Sequence, residues 1–222
     1  MNPFTWAAQS IKSRGAWRTV KVGFSAIADL GYDFRNGTDT AQQKDLEDLA
    51  FESENKIHGV HYQPSKIAPL SRLLQTFEIP RQGAFVDFGS GKGRVLLLAA
   101  QCGFRRVIGV EFSAELCGIA RQNVAAFKPR ADCPADIAVV EIDAAKFVIQ
   151  PEHTVFYFFN PFNEVVLGKV MANLRVSLAA APRQIWLIYN TPLHREVVAG
   201  TGIFTAISEF ESQGNQFCIF RN

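Results

Sequence analysis

The chain has 222 residues, of which 48% are apolar and 12% aromatic, and its formal net charge is +2. This composition predicts one sizeable hydrophobic core, and so small a net charge gives no overall field that would favour a nucleic-acid or membrane partner. No apolar run reaches the roughly 20 residues of a membrane-spanning helix and no CxxC pair occurs, so we expect a cytoplasmic protein with free thiols.

Residues 1–80 are predicted to form an N-terminal helical extension. Its first 28 residues carry four basic residues and no acid, which is compatible with a transit peptide but favours a helix with a solvated basic edge. A turn is expected over residues 31–37, and Asp39 or Thr40 is suited to cap the helix that follows. The predicted helices cover residues 4–30, 38–54 and 65–77.

From residue 84 the pattern changes to short apolar strands separated by helix-length segments. This alternation is typical of a parallel sheet with helices on both faces. Residues 212–215 instead form a hairpin-turn sequence, so the sheet is expected to end in an antiparallel pair of strands. The predicted strands cover residues 84–88, 106–110, 137–142, 154–158, 184–189, 204–210 and 216–220.

A glycine-rich loop follows the first predicted strand, with glycines at positions 89, 91 and 93. Glycine suits a tight turn whose backbone comes within contact distance of a ligand. A dinucleotide-binding loop would place its third glycine at position 94, which is Arg94, so the pattern argues against NAD. Alone, the loop is a weak signal, because a plain turn gives the same spacing.

Glu111 ends the second predicted strand. A carboxylate at this place can accept hydrogen bonds from both hydroxyls of a ribose. A surface acid at a strand end is the alternative interpretation.

The stretches VDFGSGKGR (residues 86–94) and VIGVEFS (residues 107–113) resemble motifs I and II of the class I S-adenosylmethionine-dependent methyltransferases. The resemblance covers about residues 84–222. It implies an α/β, Rossmann-like class I methyltransferase sheet over residues 81–222, with S-adenosylmethionine as cofactor and S-adenosylhomocysteine as product. The cofactor-binding residues it implies are Asp87, Gly89, Ser90, Gly91, Gly93, Glu111, Phe112, Asp143, Ala144 and Asn160.

The same resemblance assigns a role to each part of the site. The glycine loop would lie under the methionine part of the cofactor, and Asp87 would hold its amino group. Glu111 would hold the ribose, Asp143 would meet the adenine amino group, and Phe112 would pack on the adenine. Lys92 receives no role, since its side chain could point either to solvent or to the methionine carboxylate.

A third motif, Asn160-Pro161-Phe162, follows the fourth predicted strand. Nitrogen-methylating relatives carry Asn or Asp, two prolines and an aromatic residue, so this chain is one proline short. The resemblance implies that Asn160 and Pro161 accept hydrogen bonds from the target amino group and that Phe162 flanks it. A turn that simply ends the strand is the alternative.

The motif arrangement, with Tyr62-x-Pro64 upstream, is more weakly similar to the non-SET protein lysine methyltransferases. This similarity implies that Tyr62 and Pro64 belong to a lid over the cofactor and that Phe162 is a wall of a lysine channel. Tyr62 therefore joins Asn160, Pro161 and Phe162 as a catalytic candidate.

The function expected from the sequence is methyl transfer from S-adenosylmethionine to a nitrogen, with a protein lysine as the favoured acceptor. A small-molecule or nucleic-acid methyltransferase and a non-catalytic cofactor-binding scaffold remain alternatives, although no basic stripe with interleaved aromatics supports nucleic acid. No metal is expected, because His58 and His61 lack a third ligand at suitable spacing. His153 is expected to be exposed in a turn, and the oligomeric state is not predicted.

Overall fold

The computed structural model describes residues 31–41, 64–127 and 134–222. Within these ranges the strands are β1 (Ala84–Phe88), β2 (Arg106–Glu111), β3 (Asp136–Glu141), β4 (His153–Phe159), β5 (Trp186–Asn190), β6 (Ala206–Ser212) and β7 (Asn215–Arg221). The helices are α1 (Ile67–Thr76), α2 (Arg94–Gln101), α3 (Ala114–Ala126), α4 (Glu164–Ala180) and α5 (Arg195–Ala199). Residues 31–36 are also helical, and Ala144–Lys146 is a 3₁₀ helix.

The seven strands form one sheet in the order β3-β2-β1-β4-β5-β7-β6. Neighbours among β1 to β5 pair in parallel, whereas β7 lies antiparallel between β5 and β6. The predicted mostly parallel sheet with a C-terminal antiparallel hairpin is confirmed. The chain leaves β1 towards β3 and then returns to β4 on the other side, so the strand order reverses between β1 and β4. Open α/β sheets bind their ligands at such a reversal.

Each face of the sheet carries its own core. Side chains alternate along β1 and β4, so Phe85 and Tyr157 join the core beside α1 and α2, while Phe156 and Phe158 join the core beside α4. Because both faces are covered, these strands are mostly apolar, with Asp87 in β1 and His153 and Thr154 in β4 among the exceptions, and this explains why the sequence identified them. Leu70, Leu73 and Leu74 of α1 belong to the first core, so this part of the predicted extension packs directly on the sheet.

Several local predictions are wrong. Residues 31–33 are helical rather than a turn, and residues 38–41 are not helical. His153 is buried at the start of β4, where its ring stacks on Phe147 and its Nδ1 accepts a hydrogen bond from the Gln150 N–H at 3.0 Å. The Pro-Glu-His turn places this histidine over an apolar ring instead of in solvent.

Other predictions lie outside the described residues. These are the helix over 4–30, the rest of the helix over 38–54, the basic N-terminal residues, the pair His58 and His61, and Tyr62. In the ranges that are described, no helix is both long and apolar enough to span a membrane. The same ranges contain no group of three or more His, Cys, Asp or Glu residues that could hold a metal ion.

Leu97→Ala should lower the free energy of unfolding by about 2–5 kcal/mol, because Leu97 of α2 is fully buried and the loss of its side chain leaves a cavity. Urea unfolding followed by circular dichroism measures this change. Val148→Ala is the control, since Val148 is 67% exposed and its truncation should stay within about 0.5 kcal/mol. Equal effects of the two substitutions would contradict the assigned core.

Candidate functional site

A cavity of about 300 Å³ opens at the carboxyl ends of β1, β2 and β4, at the reversal in strand order. The predicted site residues that line it are Asp87, Gly89, Ser90, Glu111, Phe112, Ala144, Asn160, Pro161 and Phe162. Gly91, Gly93 and Asp143 are not among its lining residues, and Tyr62 lies outside the described part of the chain. Motifs far apart in the sequence therefore meet around one space.

The glycine loop needs its glycines for two reasons. Gly89, Gly91 and Gly93 have φ values of 76°, 53° and 84°, in the left-handed region that side chains disfavour. A Cβ atom on Gly89 would also lie 2.3 Å from the Cβ of Pro161. The third motif thus packs directly on the first glycine of the loop.

Gly109 in β2 is another glycine that other residues approach closely, and the sequence interpretation missed it. A Cβ atom there would lie 2.6 Å from Ser90 Oγ and 2.7 Å from Leu96 Cδ1. An isolated glycine inside an apolar strand was the available signal, since it often marks a place where another segment comes close. Ser90 can sit in the cavity wall because Gly109 has no side chain.

Glu111 connects β2 to the glycine loop. Its Oε2 accepts a hydrogen bond from the Gly91 N–H at 2.9 Å, and its Oε1 accepts from the N–H groups of Phe112 and Ser113, each at 3.0 Å. Burial raises the pKa of Glu111, and these backbone hydrogen bonds oppose the rise. Oε1 accepts two hydrogen bonds and Oε2 accepts one. The carboxylate can therefore accept a further hydrogen bond from a ligand hydroxyl most readily at Oε2.

Asp87 lies at the carboxyl end of β1 and is 2% exposed. Burial, and next to it the repulsion of Glu111, hold the pKa of Asp87 well above its ordinary value. Two buried carboxyl groups on one cavity favour a ligand that carries positive charge there.

The third motif is shaped by residues on both sides of it. Asn160 has φ 43°, a left-handed conformation that Asn tolerates better than most residues, and its Oδ1 accepts a hydrogen bond from the Tyr189 hydroxyl at 3.3 Å. The Phe162 ring meets Phe158 edge to face, with ring centres 6.0 Å apart. The hydrogen bond from Tyr189 therefore orients the Asn160 amide, and Asn160 lines the cavity.

Tyr157 is a buried site residue that the sequence interpretation missed. Its hydroxyl lies 3.0 Å from Ser65 Oγ and accepts a hydrogen bond from Asn190 Nδ2, also at 3.0 Å. Burial raises the pKa of Tyr157, so the hydroxyl stays protonated. Ser65 directly follows Pro64, and this network ties the end of the predicted lid segment to the wall of the cavity. The sequence feature that could have identified Tyr157 is that it is a single tyrosine in a strand otherwise rich in phenylalanine.

Asp143 and Lys92 are placed differently from most of the predicted site. Asp143 is half-buried, and its Oδ1 accepts a hydrogen bond from the Ala145 N–H at 2.9 Å, which caps the 3₁₀ helix. Lys92 points neither to solvent nor into the cavity, because it is fully buried and its Nζ lies 3.1 Å from Asp39 Oδ2. Arg94 was not predicted, yet it lines the cavity.

Part of the chain is similar to known proteins. The family model described as histone methylation protein DOT1 matches residues 56–141, a range that includes the glycine loop and Glu111. The chain is also similar to the adenine nucleotide translocase lysine N-methyltransferase of Mus musculus, with 38% identity over 97 residues. That match covers 43% of this chain and 41% of the relative, so the chain matches about two fifths of the relative's length.

Solved structures with a similar fold include two methyltransferases. One is the precorrin-6y C5,15-methyltransferase of Geobacter metallireducens GS-15, with a TM-score of 0.52 and 13% identity, covering 79% of this chain and 94% of that one. The other is a SAM-dependent methyltransferase of Aquifex aeolicus, with a TM-score of 0.52 and 13% identity, covering 68% of this chain and 87% of that one. At this identity the likeness concerns the fold alone, and it agrees with the predicted Rossmann-like α/β sheet.

Asp87→Asn should stabilise the ligand-free protein at neutral and alkaline pH. The folded-state pKa of Asp87 is raised, so the folded chain binds more protons than the unfolded chain between the two pKa values, and stability falls as pH rises through this interval. Asn carries no charge and removes that loss. Urea unfolding at pH 4 and pH 8 should show a gain at pH 8 only.

Asp136→Asn is the control for this substitution, because Asp136 is exposed on β3. It should leave the pH dependence of stability unchanged. If the stability of Asp87→Asn depends on pH as that of the wild type does, a group other than Asp87 causes this dependence.

Proposed function

We propose that this chain is an S-adenosylmethionine-dependent methyltransferase that methylates a nitrogen, with a protein lysine as the favoured acceptor. The observation that carries the proposal is the meeting of the glycine loop, Glu111 and Asn160-Pro161-Phe162 around one cavity. The relative in mouse and the matching family model, both named for methylation, support the reaction class.

The residues around the cavity fit the methyl donor. Gly89 and Gly109 let Pro161 and Ser90, which line the cavity, lie where a Cβ atom would clash with them, and the buried Ser90 hydroxyl has no hydrogen-bond partner among the described residues. A bound ligand with an ammonium and a sulfonium group would favour the ionised forms of Asp87 and Glu111, whose pKa values burial raises, and the free side of Glu111 Oε2 suits a ribose hydroxyl. When bound, S-adenosylmethionine supplies an electrophilic methyl group on sulfur.

Asn160 is proposed to position the acceptor nitrogen. Its Oδ1 keeps a second lone pair beside the Tyr189 hydroxyl, and this lone pair can accept a hydrogen bond from the acceptor N–H. This hydrogen bond would hold the nitrogen lone pair towards the cavity in which the residues around Asp87 and Glu111 would place the methyl donor. A neutral Asn is a poor base, so the acceptor enters as the free amine or loses its proton to water.

The cavity wall next to Asn160 supports an amine acceptor. Tyr157, Phe159 and Phe162 line the cavity there, and aromatic side chains of this kind would suit the methylenes of a lysine side chain and attract its ammonium group before the proton leaves. Tyr62 as a lid residue and Asp143 as an adenine contact remain predictions of this proposal, as does the cytoplasmic location.

Glu111→Ala should weaken the binding of S-adenosylhomocysteine by about 10- to 100-fold, because a charged acceptor of ribose hydrogen bonds is lost. Calorimetric titration of the purified chain measures the affinity, and thermal unfolding shows that the variant is folded. Glu209→Ala is the control, since Glu209 is an exposed acid paired with Arg195 away from the cavity.

The titration also decides the proposal as a whole. No binding of S-adenosylhomocysteine by the wild-type chain, with the protein folded, would overturn the proposed function. Binding that Glu111→Ala leaves unchanged would contradict the role of Glu111 alone.

Asn160→Ala should lower kcat by about 100-fold while leaving the affinity for S-adenosylhomocysteine within a few-fold of wild type, since the lost hydrogen bond acts on the acceptor. Transfer of radiolabelled methyl groups to a panel of lysine-containing proteins measures the rate. Asn160→Asp keeps an acceptor oxygen and should retain more activity than Asn160→Ala. Full turnover in Asn160→Ala would remove the positioning role.

A further inference from the structure

A short segment, residues 33–41, packs against the glycine loop from a distant part of the chain. We call residues 33–41 the anchor segment. It contributes two acids, Asp33 and Asp39, and each of them meets a basic residue of the loop. The residues joined in this way lie more than 50 positions apart in the sequence.

The first of these contacts holds the middle of the loop. Lys92 lies between two left-handed glycines, and its buried ammonium is 3.1 Å from Asp39 Oδ2. The side-chain amide of Asn123 on α3 donates to the Lys92 carbonyl at 2.9 Å and to the Asp39 carbonyl at 3.1 Å, and its Oδ1 accepts from the Asp39 N–H at 2.8 Å. One amide therefore fixes the loop and the anchor segment to each other.

The second contact holds the end of the loop, where α2 begins. Arg94 is 2% exposed and lines the cavity, its Nε donates to Thr40 Oγ1 at 2.8 Å, and its guanidinium lies 3.5 Å from Asp33 Oδ2. The Asp33 carboxylate also accepts hydrogen bonds from the Thr40 N–H at 2.9 Å and the Ala41 N–H at 2.7 Å. Asp33 thus folds the anchor segment and places it on Arg94.

These contacts matter because the loop is intrinsically free to move. Glycine loses more conformational freedom on folding than any other residue, so a loop with three left-handed glycines keeps one shape only if its surroundings impose it. Glu111 fixes Gly91 from the cavity side, and the anchor segment with Asn123 fixes Lys92 and Arg94 from outside.

We propose that the anchor segment is a positioning element of the cofactor site: Asp33, Asp39 and Asn123 hold the glycine loop in the shape that binds the methyl donor. This inference rests on the proposed function. None of the three residues lines the cavity, so each acts through Lys92 or Arg94 rather than on the ligand itself.

The test compares the wild-type chain with Asp33→Asn, Asp39→Asn and Asn123→Ala. Each substitution should raise the Kd for S-adenosylhomocysteine by about tenfold at a temperature where the protein is fully folded, because a buried cation or carbonyl of the loop loses its partner. Hydrogen exchange of the peptide that contains residues 89–94 should be faster in each ligand-free variant. Asp136→Asn makes the same chemical change on an exposed residue and should match wild type in both measurements.

A double substitution separates positioning from general destabilisation. Lys92→Met keeps the length of the side chain without its charge, so Asp39→Asn should cost less affinity in a Lys92→Met background than in the wild type. Purely additive effects would show that the two residues do not act through each other and would overturn the Asp39 part of the inference.

The two measurements distinguish the failure of this inference from the failure of the proposed function. If the wild-type chain binds S-adenosylhomocysteine and all three substitutions leave both the Kd and the hydrogen exchange of residues 89–94 unchanged, the anchor role is overturned. The methyl-donor site then still stands. A wild-type chain that binds no S-adenosylhomocysteine would overturn the proposed function and the role in ligand binding with it. In that case the exchange comparison still decides whether the anchor segment holds the loop.

Discussion

The approach of Pro161 to Gly89 is the constraint on which the rest of the site depends. The loop after β4 can cross the glycine loop only because position 89 has no side chain and adopts a left-handed backbone. This contact brings Asn160 to the same cavity as Asp87 and Glu111. The reversal of strand order between β1 and β4 makes it possible, because it places the carboxyl ends of these two strands side by side.

The sequence predicted the sheet well for a physical reason. Strands covered on both faces are rich in apolar residues, and β1, β2 and β4 were located to within one residue at each end. The hairpin between β6 and β7 followed from its turn residues. The cavity wall was predicted where the required residues are adjacent in sequence, as in the glycine loop and Asn160-Pro161-Phe162.

Partners that are distant in sequence could not be predicted in this way. Asp39 looked like a helix cap, yet it binds Lys92 and Asn123, and Tyr157 looked like one more core aromatic, yet its hydroxyl joins Ser65 to Asn190. Hydrophobic periodicity reports which face of an element is buried and not which polar groups meet across the fold. The boundary placed at residue 80 stays a prediction, although α1 shares the core of the sheet.

Asp87 and Glu111 face the same cavity, and while the ligand is absent burial and then the repulsion of Glu111 raise the cost of ionising Asp87. Any cation that binds between them relieves this repulsion, and ligand binding to the folded state alone raises stability by mass action. In a cell, proteases degrade the unfolded fraction of a chain, and that fraction shrinks as the ligand concentration rises. If the proposed cationic donor binds there, the same pair of acids would make the lifetime of the protein follow the supply of that donor.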